Sequence, residues 1–241
     1  MGEMRKCEDE KFARSEALLG SEAMARLKAA RVLVVGVGGV GSWCAEALVR
    51  TGLGHITLVD DDVVAESKVN RQCPATAATV CRAKVEAKAE RLRAINPGCE
   101  VEARNSRFSS EAGFSSLTGF DLVVDAIDSV DCKAELILGA TEAGVPLVSS
   151  MGAALRLEPT KVKVTRFEKV EGDGLARALR QRFKKLGRFP AANFSCVWSG
   201  EMAARGDTSS TGKGSLMPVT ATFGMCLASE AIKILTKGET R

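Results

Sequence analysis

The sequence predicts an α/β fold: a Rossmann-like, doubly wound and mostly parallel sheet with an antiparallel C-terminal extension. Three observations predict it. Arg31 to Asp60 read as strand, glycine turn, helix and strand; apolar runs then alternate with helical patterns as far as Ser149; and past Met151 the rhythm changes to apolar–polar alternation. The first stretch dominates. Val32-Leu33-Val34-Val35 lead into Gly36-Val37-Gly38-Gly39-Val40-Gly41, and a second apolar run ends in Asp60. Gly36 allows the tight turn, Gly38 and Gly39 let backbone N–H groups approach a phosphate with no Cβ in the way, and Gly41 lets the helix lie close on the strand. Asp60, about 20 residues on, is where such a unit meets the ribose hydroxyl pair of a nucleotide. A glycine-softened turn with no ligand does not explain a carboxylate at the end of the second strand.

The other elements follow in order. Phe12, Leu18, Leu19, Met24 and Leu27 recur at helix-like spacing over residues 11–29, broken at Gly20-Ser21, where Ser21 is placed to cap a second short helix. The helix after the glycine turn, through Trp43, Ala47 and Leu48, is expected to stop at Gly52 or Gly54, and Ile56 to Val59 to form the second strand. A polar connection carrying Asn70-Arg71-Gln72 precedes a helix expected from Thr79 to Ile95 and closed by Asn96-Pro97-Gly98. Cys99 to Ala103 read as a short strand and Ser109 to Leu117 as a weak helix. Leu122 to Ile127 read as a buried parallel strand interrupted by Asp125, followed by a helix from about Val130 to Ala143 and a strand from Pro146 to Ser149.

From Ala154 to Val170, alternation around Glu158-Pro159-Thr160 predicts two antiparallel strands joined by a turn. Residues 175–188 form a basic amphipathic helix whose six cations (Arg177, Arg180, Arg182, Lys184, Lys185, Arg188) meet no acid within it. Asn193 to Ser199 return as a strand, and residues 200–215 are a Gly/Ser/Thr/Lys-rich loop expected to be mobile. Pro218 to Leu235 are a long apolar helix for core or interface. One unit over residues 1–241 is expected, with a nucleotide-binding half (1–150) and a substrate-side half (151–241).

The bulk numbers exclude several classes. At 241 residues, 45% hydrophobic and 27% charged, the composition is that of an ordinary globular protein, and a formal charge of +4 does not by itself demand a polyanionic partner. The polar N-terminus has no apolar leader, and no apolar run is read as approaching a membrane span, so a cytoplasmic location without membrane contact is expected. The eight cysteines form no CxxC pair, which argues against a disulfide scaffold and a four-cysteine zinc site.

The chemistry rests on Arg71, Lys84 and Asp128. Each falls near the carboxyl end of a strand or the start of the next helix, where ligands gather in such sheets. Any one alone reads best as a solvated surface charge. Together with the glycine turn they read as a triphosphate site, the two cations neutralising phosphates and the carboxylate holding Mg²⁺.

With these residues the chain resembles the ubiquitin-activating-enzyme-like (ThiF/MoeB) adenylating enzymes. The matching pieces are Arg14 in FARS, GVGGVG at 36–41, Asp60, Asn70-Arg71-Gln72, Lys84, Ile95-Asn96-Pro97 and DAIDS at 125–129. The resemblance implies that Asp60 holds the ribose, that Arg71 and Lys84 hold the phosphates, that Asn70 is among the nucleotide-binding residues, and that Asp128 holds Mg²⁺. It also implies a homodimer in which Arg14 of the partner subunit reaches the phosphates. Within the family the likeness is to the branch that uses ATP to cyclise threonylcarbamoyladenosine at position 37 of tRNA, carried by VGSWCAEAL, GHITLVDDD, KAERLRAINPGCEV, DAIDSVDCK, EPTKVKV and VTATFG. A second expectation is adenylation of the C-terminal glycine of a ubiquitin-like sulfur carrier, with a sulfur-relay protein as partner; the missing zinc cysteines count against it. A third is a nucleotide-binding regulatory module without turnover. Whether a monovalent cation binds is left open.

The expected chemistry suits these residues. A carboxylate is a poor electrophile until it is joined to AMP or phosphate, and an activated threonyl carboxylate can be attacked by a nitrogen of its own carbamoyl group. Ring closure is intramolecular, so no nucleophilic triad is needed. His55 reads as structural, and Cys196 as a buried structural thiol.

Overall fold

The structure, a computed structural model, describes residues 10–109, 117–202 and 213–237. Helices α1 (Ala13–Leu19) and α2 (Ser21–Ala29) lead into β1 (Arg31–Val35), α3 (Gly41–Thr51), β2 (His55–Val59), α4 (Lys84–Ile95) and β3 (Glu100–Arg104). Then come β4 (Leu122–Asp125), α5 (Val130–Glu142), β5 (Leu147–Ser150), β6 (Val162–Arg166), α6 (Gly174–Leu186), β7 (Ser195–Ser199) and α7 (Met217–Thr236). The seven strands form one sheet in the order β3-β2-β1-β4-β5-β7-β6, parallel throughout except that β6 runs antiparallel to β7. The predicted doubly wound sheet with an antiparallel extension is the observed one.

Period-two alternation sends each strand's residues to two dry layers. Val32, Val34, Ile56, Leu58, Val124 and Val197 meet α3, α4 and α7 on one face. Leu33, Val35, Val59, Val123, Leu147 and Cys196 meet α5 and α6 on the other. Helix α3 stops where expected, at Gly52, whose φ of +111° is open to glycine and costly for other residues. Helix α6 starts at Asp173, whose Oδ1 accepts from Ala176 N at 2.9 Å, and ends at left-handed Gly187.

Five expectations are corrected. Ser21 does not cap α2; Gly20 occupies that position and Ser21 is already helical. The helix predicted from Thr79 begins at Lys84, because Ala83 is drawn into an antiparallel bridge with Val63 and Cys81 takes a φ of +69°. Residues 154–158 are not a strand. The Glu201 carboxylate takes the N–H groups of Leu157 and Glu158, and Gly214 O takes that of Leu155, so β6 finds its antiparallel partner in β7 instead. Helix α7, 20 residues with mean hydropathy 1.3, is long and apolar enough to cross a membrane, contrary to the reading of the sequence. Its Val219, Phe223, Leu227 and Ala231 are buried against α3 and the sheet, as in a core helix. Finally, the basic helix ends at Leu186, so Arg188 lies beyond it, and two of the six cations, Arg182 and Arg188, meet acids from outside the helix. The weak helix at Ser109 to Leu117 and most of the loop at 200–215 lie outside the described residues.

Candidate active site

The strand order reverses between β1 and β4, so the loops leaving their carboxyl ends diverge and open a crevice there. The glycine turn after β1 forms its floor. Gly36 has a φ of +93°, and a Cβ on it would lie 2.6 Å from the Ala126 carbonyl oxygen. A Cβ on Gly41 would collide with the Gly36 carbonyl, so its absence lets α3 start hard against β1. A Cβ on Gly38 would meet only Gln72 Nε2, at an ordinary 3.8 Å, whereas a Cβ on Gly39 would meet Arg71 Cγ at 3.2 Å. Gly39 therefore makes room for the arginine stem.

Asp60, at the end of β2, is half-buried and holds the turn in shape. Its Oδ2 accepts from Val37 N at 2.7 Å and its Oδ1 from Asp62 N at 3.0 Å. Lys84 Nζ donates to Asp62 Oδ2 at 2.7 Å and lies 3.5 Å from Asp60 Oδ1, with its side chain almost wholly buried. The hydrogen bond from Lys84, supported by Lys68, holds the Asp62 carboxyl below the usual aspartate range. Lys84 is thus placed by two carboxylates, of which the sequence reading found only Asp60. The bridge between Val63 and Ala83 that makes the helix start late also aims Lys84 at Asp62.

Arg71 and Asn70 arrive on the connection after β2. Arg71 Nη1 donates to Ser67 O and to Asn70 Oδ1, and Asn70 Nδ2 donates to Ser215 O at 3.1 Å. The segment is pinned to α3: Trp43 Nε1 donates to Arg71 O at 3.0 Å, and Cys73 N donates to Ser42 Oγ, which in turn donates to Gly38 O. Gln72, buried beside Gly38, has an amide oxygen with no hydrogen-bond partner among the described residues. Its amide nitrogen is the group nearest Gly38, 3.8 Å from where a Cβ would stand.

Behind this segment lies a charged cluster that sequence reading missed. Glu46 accepts from Lys88, Arg91, Arg50 and the Cys73 thiol, with Lys88 Nζ at 2.7 Å and fully buried. Burial pushes the Glu46 carboxyl up, but Arg91, Lys88 and Cys73 outweigh it and hold it well below the usual glutamate range.

Asp128 stands exposed on the loop between β4 and α5. Among the described residues no group of three or more His, Cys, Asp or Glu side chains could hold a metal ion. A lone exposed carboxylate suits Mg²⁺, which keeps most of its water and takes phosphate oxygens as further ligands, and does not suit an all-protein metal cage. Arg14 is not brought to this crevice within its own chain. It sits on α1, whose flanking Phe12 packs with Met24 over Gly52, at the opposite, amino-terminal edge of the sheet.

Helix α6 departs most from expectation. Arg182 Nε lies 2.8 Å from Asp131 Oδ1, off the hydrogen-bonding line, and Arg188 pairs with Glu142 at 2.8 Å. Arg180 donates to the carbonyls of Phe167 and Val170 and covers the Phe167 ring. Arg177, Lys184 and Lys185 remain exposed. His55 Nδ1 lies 3.1 Å from a Glu100 carboxylate oxygen at the start of β2, and burial pushes the Cys196 thiol up; both fit structural roles.

A model of the ThiF family matches residues 12–241. The chain belongs to the ThiF family. It is 37% identical over 255 residues to the tRNA threonylcarbamoyladenosine dehydratase of Escherichia coli, covering 93% of this chain and 92% of that protein. It is 36% identical over 214 residues to the molybdopterin-synthase adenylyltransferase of Salmonella typhimurium, covering 89% of this chain and 76% of that one. Among solved structures it matches the Escherichia coli dehydratase in complex with ATP, with a TM-score of 0.86 and 38% identity over 94% of both chains. The ThiF membership foreseen from the motifs therefore holds over almost the whole chain, and the dehydratase likeness spans more of its relative than the adenylyltransferase likeness does.

Proposed function

We propose that this protein is an ATP-dependent dehydratase that cyclises threonylcarbamoyladenosine at position 37 of tRNA. The observation that carries the reading is the match, end to end, with an ATP-bound tRNA threonylcarbamoyladenosine dehydratase. The crevice agrees with it, since it holds a phosphate cradle and two placed cations and needs no nucleophile. Two features favour it over activation of a sulfur carrier. The chain has no CxxC pair for a zinc site, and no cysteine between Val197 and Met225 where a thioester could form.

In this reading Gly38 and the first turn of α3 cradle the phosphates, Arg71 and Lys84 spread their charge, and Asp60 keeps lone pairs for the ribose. Lys84 is shared with Asp62 and Asp60, so its role is to hold position more than to supply a free charge. Mg²⁺, held by Asp128, would neutralise phosphate oxygens when bound. The threonyl carboxylate attacks the α-phosphorus of ATP and displaces pyrophosphate, a carbamoyl nitrogen then attacks the activated carbonyl and loses its proton, and the carboxylate oxygen leaves with the adenylyl group. The net loss from the base is one water. An AMP complex of the Escherichia coli dehydratase supports AMP, more than phosphate, as that leaving group.

The chain acts as one unit, residues 1–150 binding nucleotide and residues 151–241 facing the substrate, and a tRNA substrate places it in the cytoplasm. It works as a homodimer. Arg14 is too far from its own crevice to serve it, α1 buries none of its residues, and Leu18, Met217 and Met225 are exposed apolar groups that a second copy would cover. Mixing Arg14→Ala with Asp128→Asn subunits is expected to restore part of the activity, because one composite site is then whole; no recovery in demonstrably mixed dimers would reject the shared site. The decisive experiment is incubation with ATP, Mg²⁺ and threonylcarbamoylated tRNA, followed by nucleoside mass analysis. Loss of one water per modified base is expected, and an unchanged nucleoside would reject the reading.

A further inference from the structure

Asp125 and Lys133 form an ion pair with no solvent exposure on either side chain, the nitrogen 2.8 Å from Asp125 Oδ2. Nothing in the chemistry above uses it. Taking two charges out of water is costly, and apolar residues of similar volume often do as well for stability. What distinguishes this pair is where its remaining bonds go. Lys133 Nζ donates to Ile127 O at 3.0 Å, Asp125 Oδ1 accepts from Ile127 N at 3.1 Å, and Ser149 Oγ donates to Asp125 Oδ2 at 2.6 Å. Both backbone polar groups of one loop residue are therefore held by the two members of one buried pair. The preceding residue is fixed as well: Ala126 N donates to Val35 O, and its carbonyl lies against Gly36. The next residue is Asp128, whose side chain is exposed at the crevice.

We propose that the Asp125–Lys133 pair is a positioning device for Asp128. It fixes the peptide on which the carboxylate is carried, so that Asp128 meets its cation without first ordering a loop. Without the pair the loop leaves the end of β4 with two partly buried backbone groups to satisfy, and many conformations would compete. The side-chain hydrogen bonds by which Asp125 and Lys133 reach the loop both end on Ile127. The proposal rests on the reading that Asp128 holds Mg²⁺ with ATP.

The test measures ATP affinity with and without Mg²⁺, by equilibrium binding, in the wild type, Asp128→Asn, Lys133→Met and the neutral double variant Asp125→Asn/Lys133→Met. The double variant leaves no uncompensated buried charge, which covers the case in which Lys133→Met alone fails to fold. The expected result is that Asp128→Asn removes the Mg²⁺-dependent gain in affinity, and that the double variant reduces it at least tenfold while its Mg²⁺-free affinity stays within twofold of wild type. A pair that served only stability would lower the melting temperature and leave the Mg²⁺ gain intact. If Asp128→Asn loses the gain and the folded double variant keeps it in full, the positioning proposal falls and the reading of Asp128 stands. If Asp128→Asn itself keeps the gain, the reading of Asp128 falls and takes the positioning proposal with it.

Discussion

The two sides of the crevice are backed by buried charge in opposite ways. Behind Arg71, one carboxylate, Glu46, is shared by three cations and a thiol, two of those cations reaching solvent. Behind Asp128, one carboxylate faces one ammonium with no exposure at either, and no second cation stands by among the contacts of Asp125. The first arrangement is redundant and wet at its rim; the second is minimal and dry. Redundancy suits a cationic arm that must hold a flexible polyphosphate. A dry neutral pair suits a carboxylate that must present one oxygen in one place.

The largest effect expected from breaking this comparison is at the carboxylate itself. Asp128→Asn keeps volume and removes the charge, and turnover should fall by about 100-fold or more with the melting temperature unchanged. Equal turnover of wild type and variant at saturating Mg²⁺ would remove Asp128 from the site.

The next effect is on stability, and it separates the two networks directly. Lys133→Met strands Asp125 in the core with only a hydroxyl and a backbone N–H, and should cost about 3 kcal/mol. Lys88→Met leaves Glu46 with Arg91 and Arg50, and should cost about 1 kcal/mol. Denaturant midpoints of the two variants test the ordering; equal losses would mean that the exposed arginines do not substitute for Lys88.

Acidification sharpens the same contrast from the other side. The Glu46 carboxyl is held in the folded state below its ordinary value of 4.5, so the unfolded chain binds more protons as pH falls. Its contribution is fully present above that value and is lost on going lower. The melting-temperature gap between wild type and Glu46→Gln should therefore be widest near neutrality and shrink below about pH 4.5. A gap independent of pH would assign Glu46 a packing role only.

How much of this was legible in the sequence depended on whether a residue's role was local. The glycine turn, Asp60 and the first five strands follow from patterns within about 30 residues, and all are observed. Networks built by tertiary pairing were not legible. Glu46 meets Lys88 across 42 positions, and nothing in either local pattern marks the other. Lys133 could have been found: a lysine on the apolar stretch of α5, eight positions after an aspartate that interrupts a buried strand, is a pair of charges in want of each other. Residues 154–158 misled because alternation also describes a loop whose amides are taken by a distant carboxylate, that of Glu201.

Helix α6 carries the smallest expected effect. Sequence alone left six cations without local acids, whereas the structure commits Arg180 to two carbonyls and Arg182 and Arg188 to acids on α5. The helix also runs from the crevice edge, where Asp173 receives the N–H of Gly152, towards the opposite edge, where Arg188 meets Glu142 at the end of α5. Arg177 near its start and Lys184 and Lys185 near its end are what remain for a phosphate backbone. They sit too far apart to act on one phosphate, and only Arg177 lies near the catalytic end, so α6 should work as a weak foothold for the tRNA body and not as a reader of the modified base. Replacing all three by alanine should raise the tRNA dissociation constant about tenfold at low salt, leave ATP binding unchanged, and lower the slope of log affinity against log salt by roughly one unit per lost phosphate contact. Replacing Arg182 and Arg188 instead should cost stability and leave that slope alone, because their charge is already spent on Asp131 and Glu142. A triple variant that binds tRNA like wild type across a salt series would move the tRNA surface off this helix.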